Sequence, residues 1–164
     1  MTSSGFWHVH HDVLLEYSDN IKERISYIEK NKPAHEVRVR LRLMKRVRGR
    51  IPEPIIKAGK AILAAKKAIG AANKTRDKSC ASHYRARWAL YGGLKGANKA
   101  WLEADEVLTK ASQSLDRATA RYIKAICAFD CAIQNNRGAL EALHQQECPD
   151  CPWDGHTIFP RQAP

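Results

Sequence analysis

Residues 94–143 read LKGANKAWLEADEVLTKASQSLDRATARYIKAICAFDCAIQNNRGALEAL, and a seven-residue ladder runs through them. Ala97, Ala104, Ala111, Ala118, Ala125, Ala132 and Ala139 recur at one heptad position. Leu94, Trp101, Leu108, Leu115, Tyr122, Phe129 and Leu143 stand three residues earlier, with Asn136 the single interruption. Apolar residues spaced alternately by three and four make the seam of a coiled coil. One seam position is large and the other is alanine, so a partner helix can approach closely while the large side chains interdigitate.

Working toward the N-terminus, a second version of the seam appears at Ile55, Ala58, Ile62, Ala65, Ile69 and Ala72. It fades over residues 73–82, where seam positions fall on Arg76, Ser79 and His83, and recovers at Ala86 and Leu90. Gly92, Gly93 and Gly96 follow. Each glycine inside a helix costs about 1 kcal/mol relative to alanine, which makes this cluster the natural place to turn. The expected fold is all-α: an antiparallel coiled-coil helical hairpin with arms near 54–91 and 97–146 and a turn near 91–96. A small N-terminal module and a short CxxC tail complete it. The expected organisation is therefore 1–52, 53–146 and 147–164. A single long helical rod is the alternative, because the small stripe runs through Gly93, Ala97 and Ala100 in phase. A turn at 73–79 is a third arrangement.

The first fifty residues have a different texture. Phe6 to Glu16 alternates loosely and reads as a short strand or extended arm. Ser18-Asp19-Asn20 supplies cap residues for a helix with Ile21, Ile25 and Ile28 on one face, ended by Asn31-Lys32-Pro33. Val37 to Leu43 alternates apolar and basic residues, the period of a strand. Val37, Leu41 and Met44 also share a helical face, and helix is the preferred reading. Gly49, Pro52 and Pro54 punctuate the chain before the coil.

The formal net charge of +11 is concentrated. Residues 36–99 carry 18 Lys and Arg against 3 Asp and Glu, whereas residues 100–147 carry 5 against 7. Opposite charges beside a seam favour pairing of the two arms. They also leave a positive surplus, the electrostatic footprint of a nucleic-acid partner. The candidate phosphate contacts are Arg38, Arg40, Arg42, Lys45, Arg46, Arg48, Arg50, Lys57, Lys60, Lys66 and Lys67. They would neutralise phosphate with little base specificity. Tyr84, Trp88 and Tyr91, near the expected turn, read as packing residues. No apolar run reaches the roughly 18 residues that span a bilayer. The N-terminus has neither a basic leader nor an apolar core of a secretory signal, so a cytoplasmic location is expected.

The five cysteines are Cys80, Cys127, Cys131, Cys148 and Cys151. An odd number with one CxxC points to reduced thiols and a metal site, not a disulfide framework. Two thiolates with two residues between them can chelate one tetrahedral zinc. His156 follows at the spacing of a zinc knuckle, but Arg161 stands where that pattern has its last cysteine. His144, one helical turn before Cys148, is a further candidate ligand. So is the N-terminal trio His8, His10 and His11, His10 among them, if the hairpin brings the termini together. His10-His11-Asp12 read alone would suit a metal-dependent hydrolase, a distant alternative. Cys127 and Cys131, with Cys80, read as small apolar side chains near the seam.

HVHHDVLLE, IEKNKPAHEVRVRLRLMKRVRGRIP and EALHQQECPDCPWDGHTIFP together resemble a family of bacteriophage and prophage proteins in which similar ends flank an Ala-rich coil of variable length. The resemblance covers residues 7–52 and 139–160. It implies a coil that acts as a spacer, a host-cell setting, and no assigned activity. The family ending does not require histidine at position 156, which directs attention to other third ligands. The function expected is a non-enzymatic nucleic-acid-binding or accessory protein, with RNA or DNA held through the basic face. A coiled-coil module for an acidic protein partner, or a homo-oligomer, is the alternative.

Overall fold

The computed structural model describes residues 4–159. In chain order they form β1 (Ser4–Trp7), β2 (Leu15–Ser18), α1 (Ile21–Asn31), α2 (Ala34–Leu43), α3 (Glu53–Tyr91), α4 (Ala97–Asn135) and α5 (Arg137–Glu147). The protein is mostly helical, and α3 and α4 pack against each other as a hairpin. Two compact units divide it: Met1–Leu63 with Ala128–Pro164, and Ala64–Cys127. Both arms of the hairpin contribute to each unit, so the unit limits do not fall at 52 and 146.

In the unit formed by Ala64–Cys127 the small seam residues lie inside: Ala65, Ala72, Ala97, Ala111, Ala118 and Ala125 are all buried. Alanine at these places lets the backbones approach and removes methyl surface from water. α3 runs unbroken through 73–82, which excludes a turn there. Ser79 is buried at a seam position, and its hydroxyl donates to the Thr75 carbonyl at 3.0 Å, so the polar insertion is satisfied within its own helix. His83 reaches Asp105 across the hairpin at 3.2 Å. The Lys99–Glu103 and Lys110–Glu106 pairs are made within α4, so charge pairing between the arms is slighter than the sequence suggested. At the turn, Gly93 N–H donates to Leu90 O and Leu94 N–H to Ala89 O, with Gly93 at φ +69°. These are the two bonds of a Schellman cap, and glycine accepts the left-handed residue they require. The continuous rod is thereby excluded.

In the other unit β1 and β2 pair antiparallel, from Ser4 opposite Ser18 to Trp7 opposite Leu15. Residues 6–16 are thus two strands and a loop, not one extended arm. A two-stranded ribbon is marginal alone, and residues 45–47 support its free edge. Trp7 N–H donates to Lys45 O at 2.8 Å, and Val47 N–H to Gly5 O at 3.0 Å. The Tyr17 ring lies against Gly59 on α3, where a Cβ would overlap it. Trp7, Leu15, Ile28, Ile55, Leu140 and Ile158 are the largest fully buried apolar side chains. Residues 37–43 are helical in α2, which turns Arg40 and Leu43 inward. The Ser18-Asp19-Asn20 cap is made differently from expectation. Asn20 gives α1 no side-chain cap; its amide donates instead to Glu23 Oε2 at 2.8 Å.

The second arm stops short of 146. Asn136, the one miss in the ladder, sits between α4 and α5, and its side-chain amide donates to Ala132 O at 2.8 Å. Beyond it the seam slips by one residue. Ala139 is exposed, while Leu140 and His144 are buried. That slip carries a histidine into the core.

Candidate metal centre

Three side chains from three separate parts of the chain converge in this unit. His8 follows β1, His144 lies on α5, and Cys151 stands in the segment after α5. His8 Nε2 lies 2.8 Å from His144 Nε2 and 3.3 Å from Cys151 Sγ. All three ligand atoms lie within 4.8 Å of one another, and the group could hold a metal ion. His8 and His144 are buried and Cys151 is half-buried.

Local structure explains each position. Trp7 continues the strand pairing, and then His8 turns into the left-handed region at φ +50°. Its N–H donates to Leu14 O at 3.2 Å, closing the loop between the strands. Histidine visits this region more readily than most side chains, yet the conformation still costs about 1 kcal/mol. The strain is held by packing. The His8 ring meets His144 nearly edge-on, with centroids 4.7 Å apart, and Trp153 at 5.1 Å. Trp7 packs on His144 in turn, at 5.2 Å. Cys151 is fixed by its N–H donating to Cys148 O at 3.0 Å, the tight turn that Pro149 and Asp150 span.

A carboxylate ties the surroundings together. Glu147 accepts from Trp7 Nε1 at 2.9 Å, from the Arg48 N–H at 3.0 Å and from the Gly49 N–H at 2.5 Å. Burial pushes its carboxyl up, but these donors outweigh burial and hold it below the usual carboxylate range. Ile158 N–H donates to His11 O at 2.9 Å, and Asp154 Oδ1 accepts from the His156 and Thr157 N–H groups. The two chain ends are therefore fastened to each other around the three ligand atoms.

Burial sets the protonation states. It lowers His8 to about 4, the neighbouring His144 adds to this, and the backbone of Val13 opposes it. His8 Nδ1 is buried without a hydrogen-bond partner among the described residues. His144 is also lowered by burial, while Cys148 and Cys151 are raised by it. Lys45 and Arg42 act on the Cys151 thiol in the opposite sense, favouring thiolate. The imidazoles are thus neutral and ready to ligate near pH 7, while a thiol must release its proton to an incoming cation. A cleft of about 360 Å³ lined by His144, Cys148, Cys151 and Trp153 leads to the group from outside.

No family model, no curated protein and no solved structure matches the chain.

The other residues singled out from the sequence fall in different places. His10 is half-exposed and bonded to the Glu16 carboxylate at 2.8 Å, so His8 is the trio's member in the cluster. His11 stands 3.6 Å from Asp12. His156 is exposed on the turn closed by Asp154. Arg161 lies outside the described residues. Cys148 is buried beside Cys151 but is not among the three atoms that converge. Cys80, Cys127 and Cys131 are exposed, contrary to a place in the seam. Arg40 is no surface cation: it is 5% exposed, bonds Glu36 Oε2 at 2.6 and 2.8 Å, and covers the Phe159 ring at 5.0 Å. Arg38, Arg42, Lys45, Arg46, Arg48, Arg50, Lys57 and Lys60 are exposed in the same unit as the cluster; Lys66 and Lys67 are exposed in the other. The i, i+4 pair Glu36–Arg40 was visible in the sequence, but such pairs are ordinary on exposed helix faces and did not mark Arg40 as buried. Nothing in the sequence separates His8 from His10.

Proposed function

We propose that the protein is a non-enzymatic nucleic-acid-binding protein whose phosphate-contacting segment is held in place by a zinc clamp between the chain ends. One observation carries the first half of the reading. Arg38, Arg42, Lys45, Arg48, Arg50, Lys57 and Lys60 are exposed, and among the described residues none of them pairs with a carboxylate. Cations that make no internal ion pair are free to replace counterions on a phosphate backbone. The resemblance of both ends to phage proteins adds an accessory role to this reading.

Two imidazoles and a thiolate are a borderline-soft donor set that suits zinc better than magnesium or calcium. With Zn–N near 2.05 Å and Zn–S near 2.3 Å, a tetrahedron separates two nitrogens by about 3.3 Å and nitrogen from sulfur by about 3.6 Å. The observed 2.8 and 3.3 Å require the three side chains to spread by only about 0.5 and 0.3 Å. Cys148, the other thiol of the CxxC and buried in the same unit, is the candidate fourth donor of a Cys2His2 set. Such a closed set is structural, and the metal would fix the geometry of the module without activating water.

The test is retention of a labelled 20-base-pair duplex across a salt series. Affinity should fall steeply with salt, and reversing Arg38, Arg42, Lys57 and Lys60 to Glu should weaken binding at least a hundredfold. The slope of log affinity against log salt should shrink by about 3.6, at roughly 0.9 for each phosphate no longer neutralised. Equal binding by the wild type and this variant overturns the nucleic-acid reading.

A further inference from the structure

Tyr84, Trp88 and Tyr91, which the sequence suggested as packing residues, lie 60%, 61% and 69% exposed on α3. Their spacing of four and three places them on one face of the helix, away from the seam residues Ala86 and Leu90. We propose that this face is a stacking platform for the bases of a single-stranded nucleic acid, separate from the basic segment of the other unit.

The geometry of the rings points to this ligand. Tyr84 and Trp88 have centroids 6.0 Å apart with planes at 73°, and Trp88 and Tyr91 are 6.3 Å apart at 74°. Rings that meet edge to face overlap little, and all three remain more than half exposed. Together they expose on the order of 400 Å² of aromatic surface, a patch of the size that usually has an occupant. Aromatic rings with two torsions each are held at little entropic cost, and every base offers a face to stack on them.

Charge selects the occupant further. Residues 84–99 contain Arg85, Arg87, Lys95 and Lys99 and no Asp or Glu. Arg87 lies over the Tyr91 ring at 5.5 Å and donates to its hydroxyl at 3.1 Å, which puts a guanidinium beside the stripe. The acidic groups elsewhere in the unit near the hairpin turn are engaged: Asp77 with Arg76, Glu103 with Lys99, Asp105 with His83, and Glu106 with Lys110. Ring faces flanked by cations match bases flanked by phosphates. Aromatic rings beside cations also sit at lipid interfaces, and the vesicle arm of the test below separates that occupant from a nucleic acid. Here two of the three rings carry hydroxyls, and one hydroxyl is committed to Arg87.

The experiment measures fluorescence anisotropy of labelled dT20, U20 and a 20-base-pair duplex against the full chain. Wild type should bind the single strands and quench tryptophan emission as it does so. A Tyr84→Ala/Trp88→Ala/Tyr91→Ala variant should bind single strands at least tenfold more weakly, with duplex affinity unchanged and unaltered far-ultraviolet circular dichroism. Trp88→Phe should keep most of the affinity. The Arg38/Arg42/Lys57/Lys60 reversal should lower duplex binding by far more than single-strand binding. That distinguishes failure of the stripe from failure of the basic segment. The proposal is overturned if the triple alanine variant binds dT20 and U20 as the wild type does. It is equally overturned if wild type binds vesicles with 30% phosphatidylserine, and no single strand, through the same three residues.

Discussion

Acidification of the metal-free protein tests the environment of His8 directly. An unfolded histidine titrates near 6.5, whereas burial and His144 hold His8 at about 4 in the fold. The unfolded chain therefore takes up the proton more readily. The stabilisation due to the neutral ring is complete above pH 6.5 and is lost as the pH falls from 6.5 toward 4. Between pH 7.5 and 5.0 linkage gives a loss of about 2 kcal/mol from this one residue, at about 1.4 kcal/mol per pKa unit. His144 is shifted in the same direction and adds to the loss. The assay is urea unfolding followed by circular dichroism in chelator at pH 7.5, 6.0 and 5.0. With a slope near 2 kcal/mol per molar urea, the midpoint should drop by about 1 M. His8→Asn tolerates the left-handed backbone and removes the titrating ring; its stability should change far less over the same range. Carboxylates contribute little above pH 5, so the difference between the two proteins isolates the histidine. Parallel pH profiles for wild type and His8→Asn would refute the reasoning.

Further outcomes follow from the same structure. Arg40→Ala should destabilise the protein by about 2 kcal/mol in urea, because it removes a buried stem and leaves Glu36 without its partner. Its duplex binding should keep the wild-type salt slope, since this arginine faces inward. Glu147→Gln should cost about 2 kcal/mol, as three N–H donors lose a charged acceptor. Ala118→Leu forces extra volume into a seam built for alanine and should lower stability by about 1–3 kcal/mol, read from the thermal midpoint.

The hairpin was legible in the sequence because its signal is periodic and local. Ala65, Ala72, Ala111, Ala118 and Ala125 follow the ladder into the interior, and the glycines mark the turn through a cap that needs a left-handed residue. Asn136 was visible as the single miss. That the helix breaks there, and that the following face slips to Leu140 and His144, depends on an amide bond back to Ala132 that no periodicity encodes. The candidate site was legible in half. CxxC and His144 carry local spacing signals, but the choice of His8 over His10 rests on a reversal of the chain at φ +50° and on which ring meets Trp153. Arg40 and the Tyr84–Trp88–Tyr91 stripe show the converse limit. Composition places arginine outside and aromatics inside, and tertiary packing reversed both.

The zinc clamp proposed between the N-terminal and C-terminal segments can be measured directly. Native mass spectrometry of the 164-residue chain, incubated with one equivalent of zinc and passed through a desalting column, measures this in a single step. It should show one zinc per chain in the wild type, and none in either His8→Asn or Cys151→Ser. A wild-type chain that emerges without metal, or variants that retain zinc as the wild type does, would contradict it.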